Sequence, residues 1–216
     1  MDGALMSAAP FLLLVAGAAG LLYVTSSQAE QDVASFTASD VIDGTAGDLL
    51  DMTASYGVTG DPNQNRQAFL YAIKMSEVGA ALTALSDNGY NVLVGSTPAN
   101  PLLFSDYSTH PNVYNAALNS TAAGAYQINH PTWLTLVNQT GLTDFSPSTQ
   151  DAMALQLIAN KGALSDIDAG NVSAAMLKLK PVWRSLPGAV GGVSGQRNNS
   201  AAQWLAWYQS AGGALA

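Results

Sequence analysis

Glu77 is the residue of this sequence best placed to do chemistry, because it ends the apolar face of a predicted helix. Phe69 and Ile73 precede it at four-residue intervals, which puts all three side chains on one face of the helix. A carboxyl group at the end of a buried face has a raised pKa, because burial disfavours its charged form. A general acid near neutral pH requires such a pKa. The helix alone also fits an ordinary solvated acid at a helix end.

The sequence around Glu77 contains signals for the start and the end of this helix. Asp61 can accept a hydrogen bond at the N-cap, Pro62 fits the first helical position, and Gln64 can complete a capping box. Gly79 can adopt the left-handed conformation that stops a helix. We therefore predict a helix that begins after Asp61 and presents Glu77 at its end.

The two histidines are the other candidates for chemistry. His110 and His130 are each followed by proline, and no carboxylate shares metal-ligand spacing with them. We interpret them as structural loop histidines rather than as a metal site. The sequence has no cysteine, which excludes disulfides and thiolate metal sites. We expect neither a metal nor a cofactor.

Charge is unevenly distributed along the 216 residues, whose net charge is −8. Residues 1–65 carry eight acidic side chains and no lysine or arginine, whereas residues 66–216 carry seven of each sign. The acidity therefore belongs to the N-terminal part of the chain. A neutral domain without a basic stripe is a poor nucleic-acid binder, so we expect no nucleic-acid partner.

An apolar segment near the N-terminus predicts a membrane span. Residues 3–29 contain no charged side chain, and residues 4–24 supply the roughly 20 apolar residues that a transmembrane helix needs. We favour a permanent anchor over a signal-arrest-release segment. A cleaved signal peptide is the third interpretation, suggested by the small-x-small site at residues 27–29.

The pattern predicts three regions: an apolar anchor at 1–29, an acidic linker at 30–60 and a folded domain at 61–216. In the domain, residues 91–95 and 102–107 are expected to form a small, irregular sheet. Helices are expected at 121–128, 131–138, 147–162, 172–180 and 200–210. The fold class is α+β: a mainly helical domain with a small β-lobe, preceded by a single transmembrane helix. A cleft between two such lobes suits a long polymer.

Six sequence blocks follow one another in the domain, at residues 88–95, 103–111, 120–127, 142–156, 161–164 and 182–189. In their order and spacing they closely resemble the lambda-type phage endolysins, which are lytic transglycosylases with a lysozyme-like fold. The resemblance covers about residues 66–213 and does not extend to residues 1–65.

The resemblance implies that Glu77 is the catalytic residue. It matches the glutamate of the family's Ser-Glu-Gly motif, although Val78 replaces the glycine. Asn91 stands where the family's lambda member has an aspartate, which puts a second carboxylate in doubt. A transglycosylase needs one carboxylate: Glu77 would protonate the MurNAc–GlcNAc glycosidic oxygen and then deprotonate the C6 hydroxyl of the same MurNAc, forming a 1,6-anhydro ring.

The resemblance also implies a set of substrate-binding residues. In Gly124-Ala125-Tyr126-Gln127, Gln127 would hydrogen-bond the sugar and Tyr126 would form a wall of the cleft. Ser120 and Thr121 form either a helix cap or a contact near Glu77. The segment from Asp106 to Pro111, with Tyr107 and His110, would be an upper lip over the cleft. Gly188, with Gly191, Gly192 and Gly195, would belong to the lower lip. Trp183, Trp204 and Trp207 are expected to lie in the core.

The function predicted from these features is a membrane-tethered phage lytic transglycosylase acting on peptidoglycan glycan strands, in genome entry or in host lysis. Its expected location is a virion membrane or the host inner membrane, with the catalytic domain reaching the periplasm. Partners would be the lipid membrane, through residues 4–24, and other phage membrane or virion proteins. The alternatives are an assembly component that uses the fold as a scaffold and a hydrolytic muramidase.

Overall fold

The computed structural model of the chain describes residues 13–17, 20–24, 60–188 and 199–216. The chain divides into two compact units, Met1–Gly57 and Val58–Ala216. The first contains two strands, β1 (Leu13–Gly17) and β2 (Gly20–Val24). The helices of the second are α1 (Pro62–Glu77), α2 (Ala80–Ala84), α3 (His130–Thr140), α4 (Pro147–Asn160), α5 (Leu164–Asp168), α6 (Val172–Leu179) and α7 (Ala201–Ser210).

The N-terminal unit differs from the predicted transmembrane helix at residues 4–24. β1 and β2 are antiparallel, with Leu13 opposite Val24 and Gly17 opposite Gly20. Glycine is a poor helix former, and the two glycines form the last pair of the ladder. No helix within the described ranges is long and apolar enough to cross a membrane. The rest of the predicted anchor and nearly all of the predicted linker lie outside the described residues.

Helix α1 is the central helix of the second unit. Phe69 and Ile73 are fully buried, as their spacing predicts. The Phe69 ring packs edge-on against Trp204 of α7, with ring centroids 4.8 Å apart. Arg66 clamps the start of α1 to α5 through two hydrogen bonds, of 2.6 and 2.7 Å, to the carboxylate of Asp168. The contacts with α7 and α5 thus fix the position of α1, and with it the position of Glu77 at its end.

The predicted end signals of α1 are partly confirmed. Asp61 Oδ1 accepts a hydrogen bond from Asn63 N at 3.0 Å, so the N-cap is correct. The predicted capping box is wrong, because Gln64 Nε2 donates instead to Ala211 O at 2.6 Å. The helix does end before Gly79, but the predicted left-handed helical conformation is wrong, because Gly79 combines φ 81° with ψ 155° and caps the start of α2.

Four of the other predicted helices are found where the sequence places them, namely α3, α4, α6 and α7. Ser146 caps α4 by accepting a hydrogen bond from Thr149 N, and Ser200 caps α7 in the same way from Gln203 N. Helix α6 ends at Leu179, two residues before Pro181. Helices α2 and α5 have five residues each and were not predicted.

The β-lobe, which we define as residues 92–128, contains isolated bridges rather than long strands. Val92 pairs with Leu103, which confirms that the two predicted strands meet. The helix predicted at 121–128 is wrong, because Ala123 pairs with Ile128 across a tight turn. Within this turn Gly124 and Gln127 have φ values of 78° and 47°, which a right-handed helix excludes.

The turn is fastened to the helical part of the unit by Gln150, a fully buried residue of α4. Its Oε1 accepts a hydrogen bond from Ala125 N at 2.9 Å. Its Nε2 donates to Tyr90 O at 2.9 Å and to Phe145 O at 2.8 Å. One side chain therefore satisfies three backbone groups from separate segments, and its loss would leave them buried without partners.

Asp151, the next residue of α4, makes a second connection to the same region. Its Oδ1 accepts hydrogen bonds from Tyr90 Oη at 2.9 Å and Tyr126 Oη at 2.5 Å. Lys74 of α1 lies over the Tyr90 ring, with Nζ 5.2 Å from the centroid. Burial lowers the pKa of Lys74, and the nearby Asp151 charge opposes this shift. The β-lobe is thereby held to both α1 and α4.

Replacing Gly124 tests this packing, with Gly141 as a matched control. Both glycines have positive φ, 78° and 74°, so alanine strains either backbone by about 1–2 kcal/mol. A Cβ at position 124 would also collide with Gln150 Oε1, whereas position 141 has no atom within 4 Å. We expect Gly124→Ala to lower the free energy of unfolding by about 2–5 kcal/mol and Gly141→Ala by the strain alone. Urea denaturation measures both, and equal losses would contradict the packing role of Gln150.

Candidate functional site

A cleft of about 610 Å³ lies between the end of α1, the β-lobe and the segment before Gly188. Glu77 lies in its wall, at the last residue of α1. The other lining residues are Ser76, Val78, Leu82, 92–98, 118–120, Ala122, Gln127, Asn129 and 182–185. Among the described residues that line the cleft, Glu77 is the one acidic side chain, so carboxylate chemistry there is assigned to it.

The surroundings of Glu77 suit a proton donor at neutral pH. Val78, Leu82 and Val92 form a buried apolar cluster beside it that also lines the cleft. Burial raises the pKa of Glu77 to about 7, and hydrogen bonds from the hydroxyl and backbone of Ser185 partly oppose this rise. Near pH 7 the side chain is therefore divided between its acidic and basic forms, as acid–base catalysis requires.

Gln127 and Ser120 are the predicted binding residues that do line the cleft. Gln127 Nε2 donates hydrogen bonds to Gly124 O at 2.9 Å and Val92 O at 3.3 Å. These bonds fix the side chain and leave Oε1 as the atom able to accept a hydrogen bond from a ligand. Ser120 Oγ donates to Asn129 Oδ1 at 2.9 Å, so it is held by another lining residue.

Thr121 and Tyr126 lie outside the lining. Thr121 Oγ1 accepts a hydrogen bond from His130 N at 3.0 Å, which makes it a cap of α3. Tyr126 is 2% exposed and directs its hydroxyl to Asp151, so its predicted place in the cleft wall is wrong. Trp183 lies in the lining instead, although it is also buried, and its Nε1 donates to Tyr126 O at 3.0 Å.

The predicted lip residues also lie outside the lining. Asp106 is exposed and accepts a hydrogen bond from Ser108 N at 2.8 Å. Tyr107 Oη donates to Asp87 Oδ2 at 2.8 Å. Gly188 is exposed, and the other predicted glycines of the lower lip fall outside the described residues.

His110 is a core residue rather than a surface contact. It is 2% exposed and packs against Phe145 with ring centroids 4.7 Å apart. Its Nδ1 accepts a hydrogen bond from Asn112 N at 3.0 Å, so Nε2 carries the proton and donates to Ile128 O at 2.9 Å. Burial lowers the pKa of His110 to about 4, which keeps the ring neutral at physiological pH.

Both ends of the Asn91 side-chain amide form hydrogen bonds with the backbone. Its Oδ1 accepts a hydrogen bond from Asp87 N at 2.9 Å, and its Nδ2 donates to Phe104 O at 3.1 Å. The amide therefore holds the entry to the β-lobe in place. Across the described ranges, no group of three or more His, Cys, Asp or Glu residues is placed to hold a metal ion.

Three residues of the site were not singled out from the sequence. Ser185 Oγ donates to Glu77 Oε1 at 2.5 Å. Ser76 Oγ donates to Ser185 O at 3.0 Å and accepts from Asn199 Nδ2 at 2.8 Å. Ser185 belongs to the block at 182–189, one of the six that carry the resemblance, and this is the feature of the sequence that points to it.

Comparison with known proteins gives consistent likenesses. Residues 67–215 match the family model described as Endolysin. The chain is 38% identical over 159 residues to the endolysin of Escherichia phage P2, covering 70% of this chain and 94% of that protein. It is 40% identical over 157 residues to the endolysin of Escherichia phage lambda, covering 71% and 94%.

Solved structures extend the likeness to the fold. A structure of bacteriophage lambda lysozyme complexed with a chitohexasaccharide matches with a TM-score of 0.61 at 39% identity. A further structure of lysozyme from bacteriophage lambda matches with a TM-score of 0.60. Each match covers 71% of this chain and 97% of the other. The predicted lysozyme-like, mainly helical fold is confirmed.

The burial of His110 predicts a loss of stability in acid. Its pKa falls from 6.5 in the unfolded chain to about 4 in the fold, so the fold disfavours its protonation. The contribution of the neutral His110 ring to the free energy of unfolding is complete above pH 6.5. This contribution is lost as the pH falls through 6.5 towards 4. We expect His110→Gln to flatten the pH dependence of the free energy of unfolding in this window, measured by urea denaturation.

His130→Gln is the matched control, because it removes a histidine and leaves His110 in place. Glu77 acts in the opposite direction, since its raised pKa adds stability as the pH falls from about 7. Because Glu77 is present in both proteins, its contribution cancels when the free energies of unfolding of the variant and the wild type are subtracted. Parallel pH profiles for wild type and His110→Gln would contradict the buried, neutral histidine.

Proposed function

The chain belongs to the phage endolysin family, and from this premise we propose that it cleaves peptidoglycan as a lytic transglycosylase with Glu77 as its one acid–base residue. The observation that carries the proposal is a single carboxyl group, of raised pKa, among the described residues that line the cleft. The resemblance across the six sequence blocks supports the same reaction.

The lone carboxyl group favours transglycosylation over hydrolysis. Hydrolytic glycosidases commonly use two carboxylates, separated by about 5–5.5 Å in retaining enzymes and 6.5–9.5 Å in inverting ones. The second either attacks the sugar or activates water. Asn91 cannot take this role, because it carries an amide whose two ends are occupied by backbone groups.

The proposed reaction uses Glu77 twice. In its acidic form it transfers a proton to the glycosidic oxygen, so that the bond from C1 of MurNAc to O4 of GlcNAc breaks and GlcNAc leaves with a hydroxyl group. The resulting carboxylate takes the proton of the MurNAc C6 hydroxyl as that oxygen bonds to C1. The products are a 1,6-anhydro-MurNAc end and a restored Glu77 acid, with no water consumed.

Glycan recognition is assigned to the polar groups around this position. Gln127 Oε1 can accept a hydrogen bond from a sugar hydroxyl or acetamido N–H, and Ser120 lies in the same lining. The related lambda lysozyme, which has been solved with a chitohexasaccharide, supports a glycan as the occupant of the cleft.

Replacing Glu77 by glutamine tests the assignment. The amide has nearly the same shape but cannot exchange a proton, and positioned acid–base catalysis is worth about 10²–10⁴-fold. We expect Glu77→Gln to lower the rate of cleavage of purified sacculi by at least about 10²-fold while the protein stays folded. Asp166→Asn is the matched control, since this acid pairs with Lys178 outside the cleft lining.

Mass spectrometry of the digest identifies the reaction. Anhydro-muropeptides, lighter by one water than their hydrolytic counterparts, are expected. Reducing-end products would identify a muramidase, and wild-type protein that releases nothing would support the scaffold alternative. Turnover by Glu77→Gln within a few-fold of wild type would remove Glu77 from the mechanism.

We also propose that residues 4–24 attach the enzyme to a virion membrane or to the host inner membrane, with the catalytic domain reaching the periplasm. The proposal depends on the uncharged, apolar composition of the segment. Each five-residue strand is only about 17 Å long, shorter than the ~30 Å hydrocarbon core. Insertion would therefore require β1 and β2 to convert into one helix.

Charge substitutions test the attachment. Arginine at both Val15 and Leu21 should release the protein from membranes, because each charge near the centre of a span costs about 2.5–3.5 kcal/mol. Alanine at both positions is the control. Carbonate extraction before and after an uncoupler measures release, and uncoupler-dependent release of full-length wild type would identify a release segment instead of a permanent anchor. Wild type that carbonate alone extracts would contradict membrane attachment.

A further inference from the structure

We infer that Ser185 is a positioning residue for Glu77, and that its hydroxyl directs the transferable proton to Oε2 of the carboxyl group. The inference deepens the proposed function and depends on it. It is carried by the hydrogen bonds that surround the carboxyl group.

The geometry distinguishes the two oxygens of Glu77. Ser185 Oγ lies 2.5 Å from Oε1 and acts as the donor, since an ionised carboxylate can only accept. When Glu77 is protonated, an Oε1 that accepts this bond is the carbonyl oxygen of the acid. The proton is then carried by Oε2, the oxygen to which the Ser185 hydroxyl does not donate. Glu77 thus offers one defined oxygen as the donor.

The same bond serves the second half of the reaction. After proton transfer the carboxylate is charged, and the Ser185 hydroxyl and backbone stabilise this form against the burial that disfavours it. Without the hydroxyl, only the Ser185 backbone would oppose the effect of burial, and the pKa of Glu77 would rise further. Ser185 therefore supports Glu77 as an acid in one step and as a base in the next.

Ser185 is itself held rigidly. It is 2% exposed, and its carbonyl oxygen accepts a hydrogen bond from Ser76 Oγ at 3.0 Å. Asn199 Nδ2 donates to Ser76 Oγ at 2.8 Å and lies 3.3 Å from Ser185 O. Ser76 immediately precedes Glu77, so the residue that fixes Ser185 belongs to the same helix end. A residue whose backbone carbonyl is held by two donors orients its hydroxyl better than one in an unrestrained loop would.

Threonine and valine at position 185 provide the sharpest test, because they share one shape and differ in the hydroxyl. We expect Ser185→Thr to retain the wild-type pH profile of kcat/KM. For Ser185→Val and Ser185→Ala we expect the alkaline limb to move up by about one pH unit, because a donor to the carboxylate is lost. We also expect kcat at the acidic plateau to fall about tenfold with KM changed less than about twofold. Ser165→Ala, an exposed serine of α5, is the control.

The outcomes separate this inference from the proposed function. NMR titration of the Glu77 carboxyl carbon in the Thr and Val variants reports the pKa without requiring activity. A raised pKa in Ser185→Val and not in Ser185→Thr supports the inference. Coincident titration curves and pH profiles for the two variants overturn it, even when Glu77→Gln is inactive. If Glu77→Gln is active, the proposed function fails whatever the pKa of Glu77.

Discussion

Two adjacent polar residues of α4 hold the β-lobe against the helices, and the cleft depends on that attachment. Gln150 satisfies three backbone groups from separate segments, and Asp151 receives the hydroxyls of Tyr90 and Tyr126. A lobe made of isolated bridges has little internal support of its own, since most of its backbone bonds are scattered. Specific buried hydrogen bonds therefore replace the long strands that would otherwise give it a fixed shape.

With the lobe fixed, the properties of Glu77 follow from its neighbours. Val92 lines the same cleft from the β-lobe, whereas Val78 and Leu82 follow Glu77 along the chain. Burial disfavours the charged carboxylate, and Ser185 restores part of its stability. The balance between the two effects places the pKa within the range where one group can donate and accept a proton.

Local signals in the sequence predicted the helical part of the fold. Caps, prolines and apolar spacing identified α1, α4 and α7, because these features act over a few residues. The segment at 121–128 was misassigned because its alanines favour a helix, whereas Gln150 requires the left-handed turn at Gly124. Ser185 was not singled out because it lies 108 residues from Glu77, and only the fold brings the two together.

The fixed amide of Gln127 gives the cleft a directional preference. Both of its hydrogens face protein carbonyls, so the side chain presents an acceptor to whatever enters. A ligand group that donates, such as an alcohol or a secondary amide, finds a complementary atom there. An ether oxygen or a carboxylate meets a lone pair instead and is disfavoured. At this position the protein therefore discriminates by the polarity of the hydrogen bond, a criterion that operates without any net charge.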